Sequence, residues 1–454
     1  MTLVQSLLPP SSGNRFIYLL VLAVCLPSCG IFGPTSKQSS TQTKHIEETT
    51  IDSNVATVDT IRWTRVSEEM VPPITSRGPV STSVFKDTYK VVLLAPFDAR
   101  DFQTTAARLN TRMRKMLEFY VGTCFALDFL VHDIAIEFSV VDTEERAFFE
   151  KDFTKIPTIV QADILIGPYY TENLEAVANF AGEQGKILLS PWNTTPFVKH
   201  NPYYVQMRPS LELHAGRITE HARSRFATDK IMILTKNLPR DTSVLPYFQR
   251  ANAVVSQHTN EGIPELLVDD IGDPLLSEHL TNIMLVDSLQ SFIVPVWSDE
   301  PFVIAALAKL NFAKADQYLT VFGLPQWMDM KKMDYDYYEN LDVHVSSTKP
   351  ASYDQDDDRQ LRSYFFERLG SLPGNDAFYG KDLMVWLTTL LKNYGTKISD
   401  GFGDEVEFKS TQDFDIGAVY GDDAESIDFY QNRHLQMLRF KNYEFRPVQQ
   451  LNRR

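Results

Sequence analysis

Residues 162–196, ADILIGPYYTENLEAVANFAGEQGKILLSPWNTTP, restrict the folds open to this chain more than any other stretch. Ile164, Leu165 and Ile166 form an unbroken apolar run, as a parallel strand buried on both faces requires. Gly167-Pro168 ends that run. Thr171 is placed to cap a helix, and Glu172 complements the helix's positive end. Leu174, Val177, Ala178 and Ala181 recur at helical spacing, and Gly185 closes the helix. Lys186 to Ser190 supply the next buried strand. A strand–helix–strand unit of this kind puts both its loops at the carboxyl edge of a parallel sheet, where open α/β folds bind ligands. Tyr169, Tyr170, Thr171, Asn193, Thr194 and Thr195 are therefore predicted to gather round one crevice.

The same alternation continues on either side. Strands are predicted at 91–95 and 134–140, with a helix near 112–131 whose apolar face carries Met113, Met116, Leu117, Tyr120, Cys124, Leu127 and Leu130. Asp142-Thr143-Glu144-Glu145 has the form of a capping box opening a further helix. Past Pro202, strands are predicted at 230–235, 265–269, 291–296, 317–322 and 341–345, with helices at 301–312, 359–369 and 376–394. Two final strands, 435–440 and 443–448, flank Lys441-Asn442 as a two-residue hairpin turn. Alternating units with right-handed crossovers give parallel sheets covered by helices on both faces. Two such sheets make two lobes around a cleft.

The N-terminus reads as a processing signal. Asn14-Arg15 precedes an apolar run, Phe16 to Pro27, too short to span a bilayer. It ends in Leu26-Pro27-Ser28-Cys29-Gly30, which resembles the lipobox of bacterial lipoproteins, with Cys29 as the lipidated residue. Cys25 fits less well, because Val24 before it is bulkier than Ser28. From Cys29 to about Ser83 the chain is rich in Ser, Thr, Gln and Glu, with Pro72, Pro73 and Pro79. Such a segment buries too little surface to fold and reads as a disordered polar tether, though Ile61-Arg62-Trp63 has the form of a short docking strand.

Of the three cysteines, only Cys124 lies beyond the signal region, so no internal disulfide is possible in the mature domain. Roughly 370 residues remain to fold, enough for two lobes held by their cores alone. The formal net charge of -15 argues against nucleic acid and against electrostatic adhesion to anionic lipid. The run Asp354-Gln355-Asp356-Asp357-Asp358 reads as a solvated helix start, since it lacks the glycine turn and distal glutamate of a calcium loop.

Read in order, these elements resemble the type I periplasmic-binding-protein superfamily, the leucine/isoleucine/valine-binding or receptor-ligand-binding fold, from about Lys90 to Val448. The strongest marks are Val91-Val92-Leu93-Leu94-Ala95-Pro96, Ile164-Leu165-Ile166-Gly167-Pro168 and Leu188-Leu189-Ser190-Pro191. Val321-Phe322-Gly323-Leu324-Pro325-Gln326-Trp327 and Ala377-Phe378-Tyr379-Gly380-Lys381-Asp382 add to them. The fold class expected is thus α/β, with two Rossmann-like lobes of parallel sheet joined by a three-crossover hinge. The expected organisation is a lipoprotein signal peptide at 1–28, a tether at 29–85, a first lobe of 86–207 plus 344–430, and a second of 208–343 plus 431–454. The chain is similar to Gram-negative envelope proteins that carry this domain behind LysM repeats, although it has no recognisable LysM repeat itself. Outer-membrane lipoproteins that activate peptidoglycan synthases also share the fold.

In amino-acid binders of this fold, the ligand carboxylate meets hydroxyls and backbone N–H groups after two first-lobe strands. The resemblance places Tyr170, Thr171, Asn193, Thr194 and Thr195 there, and a helix start does favour an anion. It gives Trp297 the role of an aromatic closing from the second lobe. It puts Gln326 where an acidic side chain usually takes the α-ammonium, and an amide is a weaker partner for a cation. Tyr169-Tyr170 crowds a loop that is built of small residues in common binders. Each residue also has a purely structural reading: Tyr169 and Tyr170 as cover for the sheet edge, Thr171 as a cap, Thr194 and Thr195 as loop hydroxyls, and Trp297 and Trp192 as packing.

The chain has no HExxH, Walker loop, GxSxG or paired CxxC, and the nine histidines are scattered. His214 and His221 share one predicted helix, where they read as a surface pair. Ser190 has no neighbouring base in sequence. No cofactor and no metal are implied. Three functions stay open: a lipid-anchored receptor closing on a small ligand, an envelope scaffold or regulator that binds a partner protein, and, with only fold-neutral serines behind it, a hydrolase.

Overall fold

The structure, a computed structural model, describes residues 58–63, 83–99, 110–143, 152–194, 197–256, 261–286, 288–404, 410–421 and 425–448. Cys29 and the segment read as a signal, Arg100, Asp101, Glu144, Glu145 and Thr195 lie outside these residues.

The chain first builds β1 (Val58–Trp63), β2 (Thr88–Ala95), α1 (Thr111–Phe125, extended by a π turn, Ala126–Leu130), β3 (Ala135–Asp142), β4 (Ile164–Ile166), α2 (Leu174–Gln184), β5 (Ile187–Ser190) and β6 (Tyr204–Gln206). There follow α3 (Leu211–Arg225), β7 (Ile231–Lys236), α4 (Leu245–Ser256), β8 (Glu265–Val268), α5 (Pro274–Val286), β9 (Ser291–Ile293), α6 (Glu300–Ala313), β10 (Thr320–Gly323) and β11 (Val343–Ser347). The last elements are α7 (Asp356–Leu369), α8 (Asn375–Tyr394), β12 (Ile416–Tyr420), β13 (Ile427–Asn432), β14 (Gln436–Lys441) and β15 (Glu444–Pro447). They form two sheets, ordered β1-β3-β2-β4-β5-β6-β13-β12 and β15-β14-β11-β10-β9-β7-β8. Both are parallel apart from the β1–β3, β12–β13, β11–β14 and β14–β15 pairs.

Apolar runs become central strands because both faces of each sheet are covered. Val91, Leu93, Ile164 and Ile166 point into one core with α1 and α8, while Val92, Leu94 and Leu165 join the core beneath α2. In the second sheet Val321 packs on the α5–α6 side and Phe322 on the α3–α4 side. Helices α1 and α8 approach closely: a Cβ at Gly122 would lie 1.8 Å from the Ala377 carbonyl, and one at Gly380 2.1 Å from that of Phe119.

Three segments connect the sheets. One follows β6, one follows β11, and one joins β13 to β14. Because β13 runs parallel to β6, and Gln436 at the start of β14 pairs with Ser347 at the end of β11, all three lie at the carboxyl edges. Both rows of strand-end loops therefore face the connecting segments. The side chain of Asn432 donates to the Met207 carbonyl (3.3 Å), and that of Gln436 to the Lys349 carbonyl (2.7 Å).

Several local expectations are corrected. The stretch read as tether contains strand β1, paired in register with β3 from Val58↔Val141 to Trp63↔Ile136. The hairpin turns at Asn442-Tyr443, one residue later than expected, with Lys441 already paired to Glu444 and both turn residues at positive φ, as the tight primed turn demands. The helix expected after Asp142 falls outside the described residues; within them the Asp142 carboxylate accepts from the backbone N–H groups of Phe97, Asp98 and Ala99 (2.9, 3.2 and 2.8 Å), holding the loop after β2. Asp358 is not solvated. It and Lys381 are 0% and 1% exposed, 2.5 Å apart, and Lys381 also meets Asp382 at 3.2 Å. His214 and His221 are no surface pair, because α3 turns both toward β11. Cys124 is buried, as its place on the apolar face of α1 predicts.

Candidate functional site

Strand β4 ends at Gly167, whose φ of 120° suits glycine and whose absent Cβ would meet the Leu94 carbonyl at 2.4 Å. That close approach turns the following residues across the sheet edge. Tyr169 and Tyr170 are half-buried and meet edge to face at 5.3 Å. Tyr169 leans on Trp192 at 5.9 Å, and Trp192 on Phe119 at 5.1 Å, so aromatic packing braces the two loops. The Tyr170 hydroxyl accepts from Arg112, in the first turn of α1, and Arg112 is also paired with Asp98 after β2.

Asn193 ties the β4 loop to the β5 loop. Its side-chain N–H₂ donates to the carbonyls of Pro168 (2.8 Å) and Tyr169 (3.1 Å), and its oxygen accepts from the Thr171 hydroxyl (2.9 Å). Thr171 is therefore not the expected cap: it opens a 3₁₀ turn, Thr171–Asn173, that leads into α2, and its hydroxyl is directed to Asn193. Thr194 is exposed in the same loop.

Trp297 and Gln326 follow β9 and β10, neighbouring parallel strands of the second sheet, and so stand at one edge. Trp297 is half-buried against the α3–α4 core, with the Arg240 guanidinium 5.7 Å from its ring centre. Gln326 is exposed, while its neighbour Trp327 is buried and donates to the Val296 carbonyl at 2.9 Å. The structure thus brings Tyr169, Tyr170, Thr171 and Asn193 into one bonded cluster. Among the described residues, Trp297 and Gln326 make no hydrogen bond or ring contact with that cluster.

Charged residues near the connecting segments complete the surroundings, and sequence reasoning did not single them out. Arg208, just past β6, donates to the Trp192 carbonyl at 3.2 Å. Lys349, just past β11, pairs with Asp329 at 2.9 Å. Burial pushes the Asp376 carboxyl, in the first turn of α8, above the usual range, against the pull of Lys115, Lys349 and Arg208. Asp376 thus senses two connecting segments at once. The only available signal was position, since each of these residues lies within a few places of a strand end or helix start.

No family model matches the sequence. No curated protein matches it either. Solved structures do. A putative branched-chain amino acid ABC transporter protein from Rhodospirillum rubrum superimposes with a TM-score of 0.57 at 13% identity, covering 80% of this chain and 100% of that one. An ABC transporter substrate-binding protein from Desulfitobacterium hafniense, solved in complex with Leu, gives 0.51 at 12% identity, covering 80% and 100%. The C-domain of LpoA from Haemophilus influenzae, a regulator of PBP1A, gives 0.51 at 12%, covering 79% and 99%.

Proposed function

The chain has the type I periplasmic-binding-protein fold, and from that premise we propose that it is a non-enzymatic binding protein of the cell envelope, held by a lipid on Cys29. Its groove takes a small ligand: an amino-acid derivative, a peptide or a cell-wall fragment. The observation that carries this reading is topological. All three connecting segments lie at the carboxyl edges of both sheets, so the loops bearing Tyr169, Tyr170, Thr171, Asn193 and Thr194 face the same gap as those bearing Trp297 and Gln326. Exposed Thr194 and the turn at Thr171 offer the ligand's anionic group a hydroxyl and backbone N–H donors. Half-buried Tyr169, Tyr170 and Trp297 supply apolar faces.

A second reading, an envelope scaffold or regulator that binds a partner protein, has its own support. The Thr171 hydroxyl and the Asn193 amide are bonded to one another and to loop carbonyls, which withdraws them from a free amino acid. Gln326 offers no negative charge to an ammonium. A thermal-shift screen of amino acids, dipeptides and muropeptides separates the two readings. A ligand at a hundred times its Kd should add about 2.7 kcal/mol of stability, and Thr194→Ala should abolish that gain. If no compound raises the transition while pull-down retrieves a single envelope protein, the small-ligand reading fails and the partner reading stands.

A further inference from the structure

A polar seam runs through the second lobe where α3 packs on β11. Residues 214, 221 and 225 share one face of α3, and residue 342, just before β11, alternates onto one face with residues 344 and 346 within it. They meet in antiparallel order. The His214 ring contacts the Ser346 hydroxyl (2.8 Å), His221 contacts His344 (3.2 Å), and Arg225 contacts His344 (3.0 Å) and Asp342 (3.5 Å). Asp342 also accepts from Thr320 at 3.1 Å, and from Tyr318 and Arg439. His344, Asp342 and His214 are 1%, 5% and 8% exposed. Phe322 closes the seam from β10, its ring 5.8 Å from His221 and 5.4 Å from His344.

Nε2 of His344 stands between the Arg225 guanidinium at 3.0 Å and the Asp342 carboxylate at 3.3 Å, and the nearer guanidinium favours a neutral ring. With Arg225 donating to Nε2 of His344, it is the Nδ1–H of His344 that donates to Nε2 of His221. A further proton on Nε2 of His344 would set N–H against N–H of Arg225, opposed in part by the Asp342 carboxylate 3.3 Å away, so the sharper conflict falls on His221. One on Nε2 of His221 would set it against N–H of His344. Asp342 cannot absorb the added charge freely, since Arg225, Arg439 and Tyr318 already converge on it. Arg217 on α3 and Arg208 in the first connecting segment add positive potential at His221 and His214 respectively.

The seam also sits at a strategic place. α3 is the first element after the first connecting segment, β11 is the last before the second, and β14, which carries Arg439, is the first after the third. We propose that this buried histidine seam is an acid-sensitive latch: proton uptake by His214, His221 and His344 releases α3 from β11 and loosens the root at which all three connecting segments enter the second lobe. Burial holds His214 down at about 4 and His221 at about 3, and lowers His344 as well. Histidines held down in this way stabilise the latch fully above the ordinary histidine range. That stabilisation drains as pH falls from about 6.5 toward the folded values, and the opening equilibrium rises about tenfold per pH unit for each histidine that must be charged. The first lobe has no such seam among the described residues, where His132 and His200 are exposed.

The test is amide hydrogen exchange on the full chain at about pH 7 and about pH 5, corrected for intrinsic rates. The expected result is a tenfold or larger loss of protection over 211–225 at the lower pH, with 375–394 of the first lobe unchanged. The double variant His221→Gln/His344→Gln, which has nothing to titrate at the central pair, should show a smaller acid response over 211–225. If that variant does not fold, ring resonances of the wild-type histidines decide. His214, His221 and His344 should keep their neutral-ring resonances at about pH 5.5. Equal pH responses in the two lobes, or the three buried rings already charged at about pH 5.5, would overturn the proposal.

Discussion

Asn193 shows how one side chain can set a loop pair. Removing it as Asn193→Ala takes away two donors and an acceptor, leaving the carbonyls of Pro168 and Tyr169 and the Thr171 hydroxyl to find other partners. A loss of about 1–3 kcal/mol is expected in urea denaturation; an unchanged midpoint would mean water replaces these bonds fully. Thr194→Ala, at an exposed position in the same loop, should stay within about 0.5 kcal/mol of wild type. That contrast makes Thr194 the cleaner probe of ligand binding. It also marks the limit of what a sequence discloses at this scale. Residue type placed Asn193 and Thr171 at the right loops, but only coordinates reveal that they are bonded to each other. His214 and His221 misled for a related reason. A polar residue on a helix reads as exposed until the opposing strand is known, and here that strand offers Ser346 and His344.

At the scale of elements, the apolar runs carried most of the information. Residues 164–166 form β4 as expected, and Gly185 ends α2 in the left-handed conformation. Burial on both faces makes such strands uniformly apolar, which sequence displays directly. β12 and β13, by contrast, lie at the margin of their sheet, read IGAVY and IDFYQN, and mix buried with partly buried positions, Tyr420 being exposed. A half-covered strand gives a weaker pattern, and neither was foreseen. The Lys381 site is the element-scale test. Lys381→Met leaves Asp358 and Asp382 buried without their cation, although Thr411 and Gln412 still donate to them. A loss of about 3–5 kcal/mol is expected; a loss under about 1 kcal/mol would show that the carboxyls simply take up protons. Gly380→Ala forces α8 off α1 and should lose about 1–3 kcal/mol, measured the same way.

For the whole molecule, the order of elements was the decisive clue, because alternating strands and helices admit few topologies. What order alone could not supply is the arrangement at the hinge. The pairing of β13 with β6 and of β14 with β11 brings the last connecting segment beside the other two, and this aligns both carboxyl edges. A binding protein built this way should respond to ligand as one body. Calorimetric titration with the strongest compound from the thermal-shift screen, set beside a groove-blocking Thr194→Trp variant, tests the account most directly. The account expects one equivalent bound by the wild-type chain, and none by the variant while its unfolding transition is unchanged. Undiminished binding by the blocked variant would contradict it.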